Sequence, residues 1–243
     1  MNLVVDMGNT RTKVALFVND QLFATYNYGR NPLPELKKLI AVHPEIRRSI
    51  VSSVVHHSKE VINFLQNKTL FHFFDTNSKI PIPVVYKTPD TLGRDRLAAA
   101  VASFSLSKGQ NALSIDAGTC IKFDLVLKGE GYKGGSISPG LSMRYRALNQ
   151  FTDQLPLFSP EPEFHVLCGQ STEESIRSGV QLGAIHEIKG FIEDYQTQYP
   201  DLFIVLTGGD ASFFELALKN SIFVCPHLVM QGLNEILNFN VAK

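Results

Sequence analysis

The chain has 243 residues, of which 44% are hydrophobic and 19% charged, a composition typical of a folded globular protein and unlike that of a disordered one. Its 23 Lys and Arg residues balance its 23 Asp and Glu residues, so no net charge would attract nucleic acid or an anionic membrane surface. The length allows one large domain or two of about 110 to 130 residues.

The N-terminal residues and the cysteines bear on the location of the protein. Residues 1–6 lack a basic region and place an acid after three apolar residues, unlike a signal peptide. No apolar run approaches the ~20 residues of a membrane helix. Three widely spaced cysteines indicate neither a disulfide framework nor a Cys-x-x-Cys metal site. We expect a cytoplasmic protein with no membrane or nucleic-acid partner.

The first half of the chain predicts a strand meander followed by alternating helices and strands. Residues 3–5, 13–18 and 22–28 are strand-like runs joined by short turns, which predicts three antiparallel strands. We then expect a helix over 35–42, a strand over 48–55, a helix over 59–66 and a strand over 70–74. Residues 80–83 read as an extended linker, and 92–105 as an alanine-rich helix. This alternation implies a mixed sheet with crossover helices.

The second half repeats this opening. A polar, turn-prone segment at 107–111 predicts a domain boundary, with domains at 1–109 and 110–243. Strands are predicted at 112–115, 120–127 and 132–137, a helix at 141–151 and a loop at 155–164. Apolar residues at steps of four from Ile176 to Ile192 predict one face of a long helix. A strand at 202–206 ends at Thr207-Gly208-Gly209-Asp210 and precedes another helix. The pattern predicts a duplicated α/β fold.

Two similar turns, each between two strand-like runs, are the most informative feature. The first is Asp6-Met7-Gly8-Asn9-Thr10-Arg11-Thr12-Lys13, and the second begins 110 residues later as Asp116-Ala117-Gly118-Thr119. With one gap, Thr10 and Lys13 align with Thr119 and Lys122. Such paired turns in related halves can hold a nucleotide's phosphates and metal, so phosphoryl transfer is the leading hypothesis.

The residues of the first turn suit that chemistry. Glycine permits a tight backbone that brings amide groups close to phosphate oxygens. Asn9 and Thr10 supply donors, Lys13 supplies a positive charge, and Asp6 can hold Mg²⁺ through water. The segment is not a Walker loop, because Gly-x-x-x-x-Gly-Lys-Ser/Thr is absent and a strand follows. A plain tight hairpin is the alternative for either turn taken singly.

The motifs in order resemble those of type III pantothenate kinases. Both acidic glycine turns look like the family's phosphate motifs, and a third segment looks like its substrate and catalytic motif: Tyr86-x-x-Pro89-x-x-Leu92-Gly93-x-Asp95-Arg96. Three later segments also match in order: Gly134-Gly135-x-Ile137-x-Pro139-Gly140-Leu141, Thr172-x-x-Ser175-x-x-Ser178-Gly179 and Thr207-Gly208-Gly209. The resemblance spans almost the whole chain.

The resemblance implies a fold and an activity. The fold would be the duplicated ribonuclease H-like fold of actin-like ATPases, with two mixed-sheet domains and ATP in the cleft between them. The activity would be ATP-dependent phosphorylation of pantothenate, the first step of coenzyme A synthesis. The resemblance further implies a homodimer, Mg²⁺ and a monovalent cation, either K⁺ or NH₄⁺.

The resemblance also assigns roles to residues. The ATP phosphates would be contacted by Asp6, Met7, Gly8, Asn9, Thr10, Arg11, Thr12, Lys13 and Thr119. Asp6 would also hold Mg²⁺ through water, and Asp116 would bind the monovalent cation. Pantothenate would be bound by Tyr86, Gly93, Arg94, Asp95 and Arg96, with Thr172 contributed by the partner subunit. Asp95 would be the general base.

The chemistry of Asp95 and Arg96 agrees with these roles. Transfer to a primary alcohol requires that the hydroxyl proton be accepted, which a neighbouring carboxylate can do. The Arg96 guanidinium could make a two-pronged contact with the substrate carboxylate. The structural alternative is a helix first-turn acid with a salt-bridge partner.

Three other positions leave alternatives open. Thr172 could simply cap a helix that carries the predicted capping box Ser171-x-x-Glu174. Gly179 and Gly183 suggest close packing of another backbone, either at a dimer interface or within the domain. Cys120 and Lys122 depart from the family pattern. Lys122 either adds charge near the γ-phosphate or points to solvent.

Two other functions remain as alternatives. One is a sugar kinase or polyphosphate-type hydrolase of the same fold, but the cysteine-rich zinc motif of one large sugar kinase group is absent. The other is a non-catalytic transcription accessory factor. Neutral charge argues against direct DNA contact, and an intact Asp95 argues for an enzyme.

Overall fold

A computed structural model describes residues 1–8, 11–53, 59–218 and 222–241. The contacts divide the chain into two units. The first comprises residues 1–106, 129–133 and 227–243, and the second comprises residues 107–128 and 134–226. Each unit is built around one five-stranded sheet.

The first sheet has the strand order β3-β2-β1-β4-β5. Its strands are β1 (Asn2–Met7), β2 (Thr12–Val18), β3 (Gln21–Tyr28), β4 (Arg48–Ser53) and β5 (Leu70–Phe73). The first three pair antiparallel, while β1, β4 and β5 pair parallel. The predicted meander and mixed sheet are confirmed. Residues 54 and 55, which the prediction placed in β4, lie outside the described residues.

The second sheet repeats this arrangement with the order β10-β9-β6-β7-β8. Its strands are β6 (Ala112–Ala117), β7 (Cys120–Leu127), β8 (Gly131–Pro139), β9 (Phe203–Thr207) and β10 (Ile222–Val224). β6 pairs antiparallel with β7 and parallel with β9. The central strands β1 and β6 have the same burial pattern, four buried residues and then a partly exposed aspartate. The predicted duplication is confirmed.

Helices connect the strands near the predicted positions. They are α1 (Leu33–Val42), α2 (Lys59–Lys68), α3 (Arg94–Leu106), α4 (Leu141–Gln150), α5 (Thr172–Arg177), α6 (Gly183–Gln198), α7 (Ala211–Ala217) and α8 (Leu228–Asn240). A short 3₁₀ segment (Pro89–Thr91) precedes α3, so that α3 starts two residues later than predicted. A π segment (Ser178–Leu182) joins α5 to α6. In the described residues, no helix is long and apolar enough to span a bilayer.

The C-terminal helix α8 belongs to the unit formed by residues 1–106. It packs against α3 and β1. Gly232 permits the close approach to α3, because a Cβ there would lie 1.8 Å from the carbonyl oxygen of Ala98. Strand β10 and helix α8 were not predicted.

Candidate active site

The β1–β2 turn presents an aspartate and a lysine side by side. In the antiparallel register Asp6 lies opposite Lys13, and the Gly8 N–H donates a hydrogen bond to the Arg11 carbonyl at 3.1 Å. Asp6 is partly exposed and Lys13 is exposed. Met7 and Thr12 are buried opposite each other at the strand ends, while Arg11 is exposed. Asn9 and Thr10, both predicted phosphate contacts, lie outside the described residues.

The β6–β7 turn of the second unit is two residues shorter but repeats the pairing of an aspartate with a lysine. Asp116 lies opposite Lys122 in register, and the Gly118 N–H donates to the Cys120 carbonyl at 3.0 Å. The Lys122 Nζ atom lies 2.7 Å from Asp116 Oδ2, and the two side chains are only 17% and 16% exposed. The alternative in which Lys122 points to solvent is therefore wrong.

Three backbone segments of the second unit meet beside this turn. The Gly140 N–H, at the start of α4, donates to the Thr119 carbonyl at 3.1 Å. A Cβ on Gly140 would lie 2.0 Å from the Gly118 carbonyl oxygen. Gly208 has φ +102°, and a Cβ on it would lie 2.1 Å from the Ala117 carbonyl oxygen. Both glycines are thus required for the segments to approach so closely.

These segments border a cleft-like cavity of about 480 Å³ that is open on one side. Its walls come from the β6–β7 turn, from α4 and from the turn after β9: Gly118, Thr119, Ser142, Met143, Arg146, Ala147, Gln150, Phe151, Gly209 and Asp210. Burial raises the pKa of the Asp210 carboxyl. The cavity offers glycine backbone, hydroxyl groups, the Arg146 guanidinium and the Asp210 carboxyl, so it suits a ligand that carries an anionic group together with hydrogen-bond donors.

The contribution of α4 to this cavity was not predicted. Ser142, Arg146 and Gln150 stand four residues apart and share one helix face. That polar spacing is the signal that could have identified them. The sequence prediction used only the helix and the glycine that precedes it.

The backbone next to Tyr86 pairs like a strand with Tyr132 in the first unit. The Val85 N–H donates to the Tyr132 carbonyl at 2.9 Å, and the Tyr132 N–H donates to the Pro83 carbonyl at 2.8 Å. The rings of Tyr86 and Tyr132 then lie with centroids 5.8 Å apart. Since Tyr132 is fully buried, it gives Tyr86 a fixed support.

Asp95 lies in the first turn of α3, next to two other predicted site residues. Its Oδ1 accepts a hydrogen bond from the Arg96 N–H at 3.0 Å. A Cβ on Gly93 would lie 2.6 Å from the same oxygen, so glycine there makes room for the carboxylate. Arg96 is 6% exposed, and the Arg94 guanidinium lies 5.7 Å from the centre of the Phe74 ring. Four predicted site residues, from Gly93 to Arg96, therefore lie together at the start of α3.

Thr172 lies in the second unit, in a different cavity from Thr119. The Ser171 Oγ accepts from the Glu174 N–H at 3.2 Å, so Ser171 caps α5 and the interpretation of Thr172 as the cap is wrong. The Glu174 carboxylate reaches back to the Gln170 N–H at 2.7 Å. Thr172 is exposed and, with Gly179, helps to line a shallow, open surface cavity of about 750 Å³.

The glycines of the π segment and α6 do not contact another backbone of the described chain. A Cβ on Gly179 or Gly183 would meet none of its atoms within 4 Å. Close packing within the domain, one of the two explanations for these glycines, is therefore wrong.

Solved structures share the architecture. A conserved protein of the Baf family from Campylobacter jejuni aligns with a TM-score of 0.61 and 20% identity over 98% of both chains. An activator of 2-hydroxyisocaproyl-CoA dehydratase from Clostridium difficile, with bound ADPNP, aligns with a TM-score of 0.53 and 12% identity over 100% and 99% of the two chains. With its two five-stranded mixed sheets, the chain has the duplicated α/β fold of actin-like ATPases and sugar kinases, as predicted.

Sequence relatives are much closer. A protein of Christiangramia forsetii is 43% identical over 244 residues and the full length of both chains. A protein of Phocaeicola vulgatus is 42% identical over 242 residues and 99% of both. Both carry the name type III pantothenate kinase, and the model of that family matches residues 2–194. The chain therefore belongs to the type III pantothenate kinase family.

Proposed function

We propose that the chain transfers the γ-phosphoryl group of ATP to the primary hydroxyl of pantothenate, forming 4′-phosphopantothenate in the first step of coenzyme A synthesis. The single observation that carries this function is the identity of 42–43% over the full length of named type III pantothenate kinases. As a family member the chain is a pantothenate kinase and uses ATP. We further propose that it works in the cytoplasm.

The two acidic glycine turns bind the phosphates in this proposal. Phosphoryl transfer depends on positioning and on donors aimed at the phosphate oxygens, with little covalent chemistry from the protein. Residues 6–13 and Thr119 contact the phosphates, the exposed side chains of Arg11, Lys13 and Thr119 supply such donors, and Asp6 holds Mg²⁺ through water. The cavity beside Thr119 accepts the remainder of the nucleotide. The ADPNP bound by the Clostridium difficile activator supports this use of the fold.

Asp95 acts as the general base in this proposal. Its Oδ1 accepts a hydrogen bond from the Arg96 N–H, and the lack of a side chain at Gly93 makes room for the carboxylate, which accepts the proton of the substrate hydroxyl in this proposal. A positioned base contributes typically ~10²- to 10⁴-fold to the rate. Because the Arg96 N–H orients Oδ1, we expect the carboxylate to need little reorganisation when substrate binds.

Pantothenate binding involves the neighbours of Asp95. Tyr86, Gly93, Arg94 and Arg96 form the binding surface of one subunit. The Arg96 guanidinium makes a two-pronged contact with the substrate carboxylate. Thr172 of a second subunit completes this surface, so the enzyme is a homodimer. Gly179 lines the same cavity as Thr172 and has open space around it, which supports a partner chain there. Asp116, predicted to bind a monovalent cation, pairs with the Lys122 ammonium.

Replacement of the base tests the mechanism. Asp95→Asn keeps an oxygen that accepts from the Arg96 N–H but cannot take up a proton. We expect kcat for pantothenate phosphorylation to fall at least ~30-fold, while the Kd for an ATP analogue, measured by calorimetry, stays within about threefold.

Asp90→Asn is the matched control, because Asp90 is an exposed acid in the 3₁₀ segment before α3. It should retain wild-type kinetics. Full activity of Asp95→Asn would remove the base assignment. Absence of pantothenate phosphorylation by the wild-type protein in every salt tested would overturn the function.

A further inference from the structure

The carboxylate of Asp116 is paired with a lysine of its own sheet. The Lys122 Nζ lies 2.7 Å from Asp116 Oδ2. Asp116 is on β6, the central strand of its sheet, and Lys122 stands directly opposite on β7. Hydrogen-bonded ladders on both sides of β6 hold Asp116 in register. The strand pairing therefore fixes the positions of both residues, whereas an ion pair between two long, exposed side chains must order both of them.

A lysine ammonium has the properties of the ion predicted for this carboxylate. It carries the same single charge as K⁺ or NH₄⁺, and its three N–H groups donate to oxygen atoms that would coordinate either ion. A separate cation on Asp116 would bring a second positive charge close to Nζ, and like charges repel strongly where water is partly excluded. The side chains present fit a tethered ammonium better than an added monovalent ion.

The ion pair adjoins the proposed nucleotide cavity. Gly118 and Thr119 line that cavity, and a Cβ on Gly118 would lie 3.8 Å from Asp116 Oδ1. An unneutralised carboxylate at this place would repel the phosphates of ATP. Lys122 cancels that charge from within the chain.

We propose that Lys122 is a positioning residue that takes the place of the monovalent cation, so that this kinase works without K⁺ or NH₄⁺. The proposal rests on the proposed function for its kinetic consequence. The geometric basis, the half-buried Asp116–Lys122 pair, is independent of the substrate.

The kinetic test compares the full-length wild-type protein with Lys122→Ala and Lys128→Ala in buffers whose cation is choline or K⁺. Lys128 is an exposed lysine immediately after the same strand and serves as the control. Wild type and Lys128→Ala should phosphorylate pantothenate at rates within about twofold in the two buffers. In choline the rate of Lys122→Ala should fall at least ~10-fold, less than the ~10²- to 10³-fold cost of a lost donor to the developing charge itself, because Lys122 acts through Asp116; K⁺ or NH₄⁺ should restore the rate.

A binding measurement separates this proposal from the proposed function. Thallium NMR with Tl⁺ as the K⁺ probe, in the presence of a non-hydrolysable ATP analogue, should detect a specific site in Lys122→Ala and none in the wild type. Wild-type binding of Tl⁺, or a wild-type requirement for K⁺, would overturn the role of Lys122. Should no protein phosphorylate pantothenate, the function fails, and Tl⁺ binding still decides the role of Lys122. The wild-type measurements remain decisive even if the variant does not fold.

Discussion

Glu235 on α8 is a carboxyl group whose ionisation opposes folding. Burial is the largest cause that raises its pKa, a hydrogen bond with Ser105 lowers it, and the charge of Asp20 raises it again, to about 7 from an ordinary 4.5. Between pH 4.5 and about pH 7, Glu235 keeps its proton in the folded chain but has released it in the unfolded chain. Stability is therefore greatest below about pH 4.5 as far as this group is concerned, and falls as pH rises towards about 7.

Glu235→Gln should remove this pH dependence. The amide keeps a similar shape without a charge to bury, so the variant should exceed the wild type in stability above pH 7 by on the order of 2 kcal/mol. Urea unfolding at pH 5 and pH 8 measures the difference. Glu60→Gln, at an exposed site of α2, is the control. Equal stability of Glu235→Gln and wild type at pH 8 would contradict the assignment.

For some residues of the site the sequence identified the position but gave no reason for the residue type, and for others it left the orientation of the side chain open. The motif resemblance located Asp95 and Gly93 but gave no reason for the glycine. The structure supplies it, since a Cβ there would collide with the carboxylate. For Lys122 the sequence left two alternatives, because the distance to an acid six residues away depends on the strand register.

The turn after β9 is an element whose shape depends on one glycine. Gly208 has a positive φ, and its Cα faces the backbone of Ala117 at the end of β6. The Asp210 N–H donates to the same Ala117 carbonyl at 2.9 Å. At Gly209, one residue later, an added Cβ would have no described atom within 4 Å.

Gly208→Ala should therefore destabilise the protein by at least about 2 kcal/mol, since backbone strain and a clash with main-chain atoms add. Gly209→Ala should change stability by less than about 0.5 kcal/mol. Chemical denaturation of both variants tests the contrast. A similar small effect of the two substitutions would mean that the turn does not hold this geometry.

The helical stretch from Thr172 to Gln198 was correctly predicted as helical, but its interior differs from a regular α-helix. Ile176, Val180, Ala184 and Ile188 are all buried, although residues four apart drift around a regular helix. The wider turn of the π segment reduces this drift, so that the apolar residues stay on one face. The same segment carries Gly179, next to Thr172 in the larger cavity.

At the scale of the whole molecule, the end of the chain completes the unit with which the chain begins. Asn2 on β1 donates to Asn234 at 2.7 Å and to Asn238 at 3.0 Å, both on α8. Gly232 brings α8 against α3 at Ala98. The stability of residues 1–106 therefore depends on residues more than a hundred positions away.

Gly232→Ala tests this dependence. The added methyl group would overlap the backbone of α3, which cannot yield as a flexible side chain does, so we expect a loss of about 2–3 kcal/mol. Gly190→Ala, at a helical glycine with no described atom within 4 Å of an added Cβ, should be neutral or slightly stabilising. Thermal denaturation compares the two, and unchanged stability of Gly232→Ala would exclude the close helix contact.

By itself the sequence determined most elements, the duplication, the family and the motif positions, because these depend on residues close together in the chain or on ordered motifs. Only the tertiary structure decided that Lys122 pairs with Asp116, that Gly140 and Gly208 meet the β6–β7 turn, and that α8 packs on α3. These contacts join segments distant in sequence, and they depend on register and close backbone approach. Neither of these leaves a periodic pattern in the sequence.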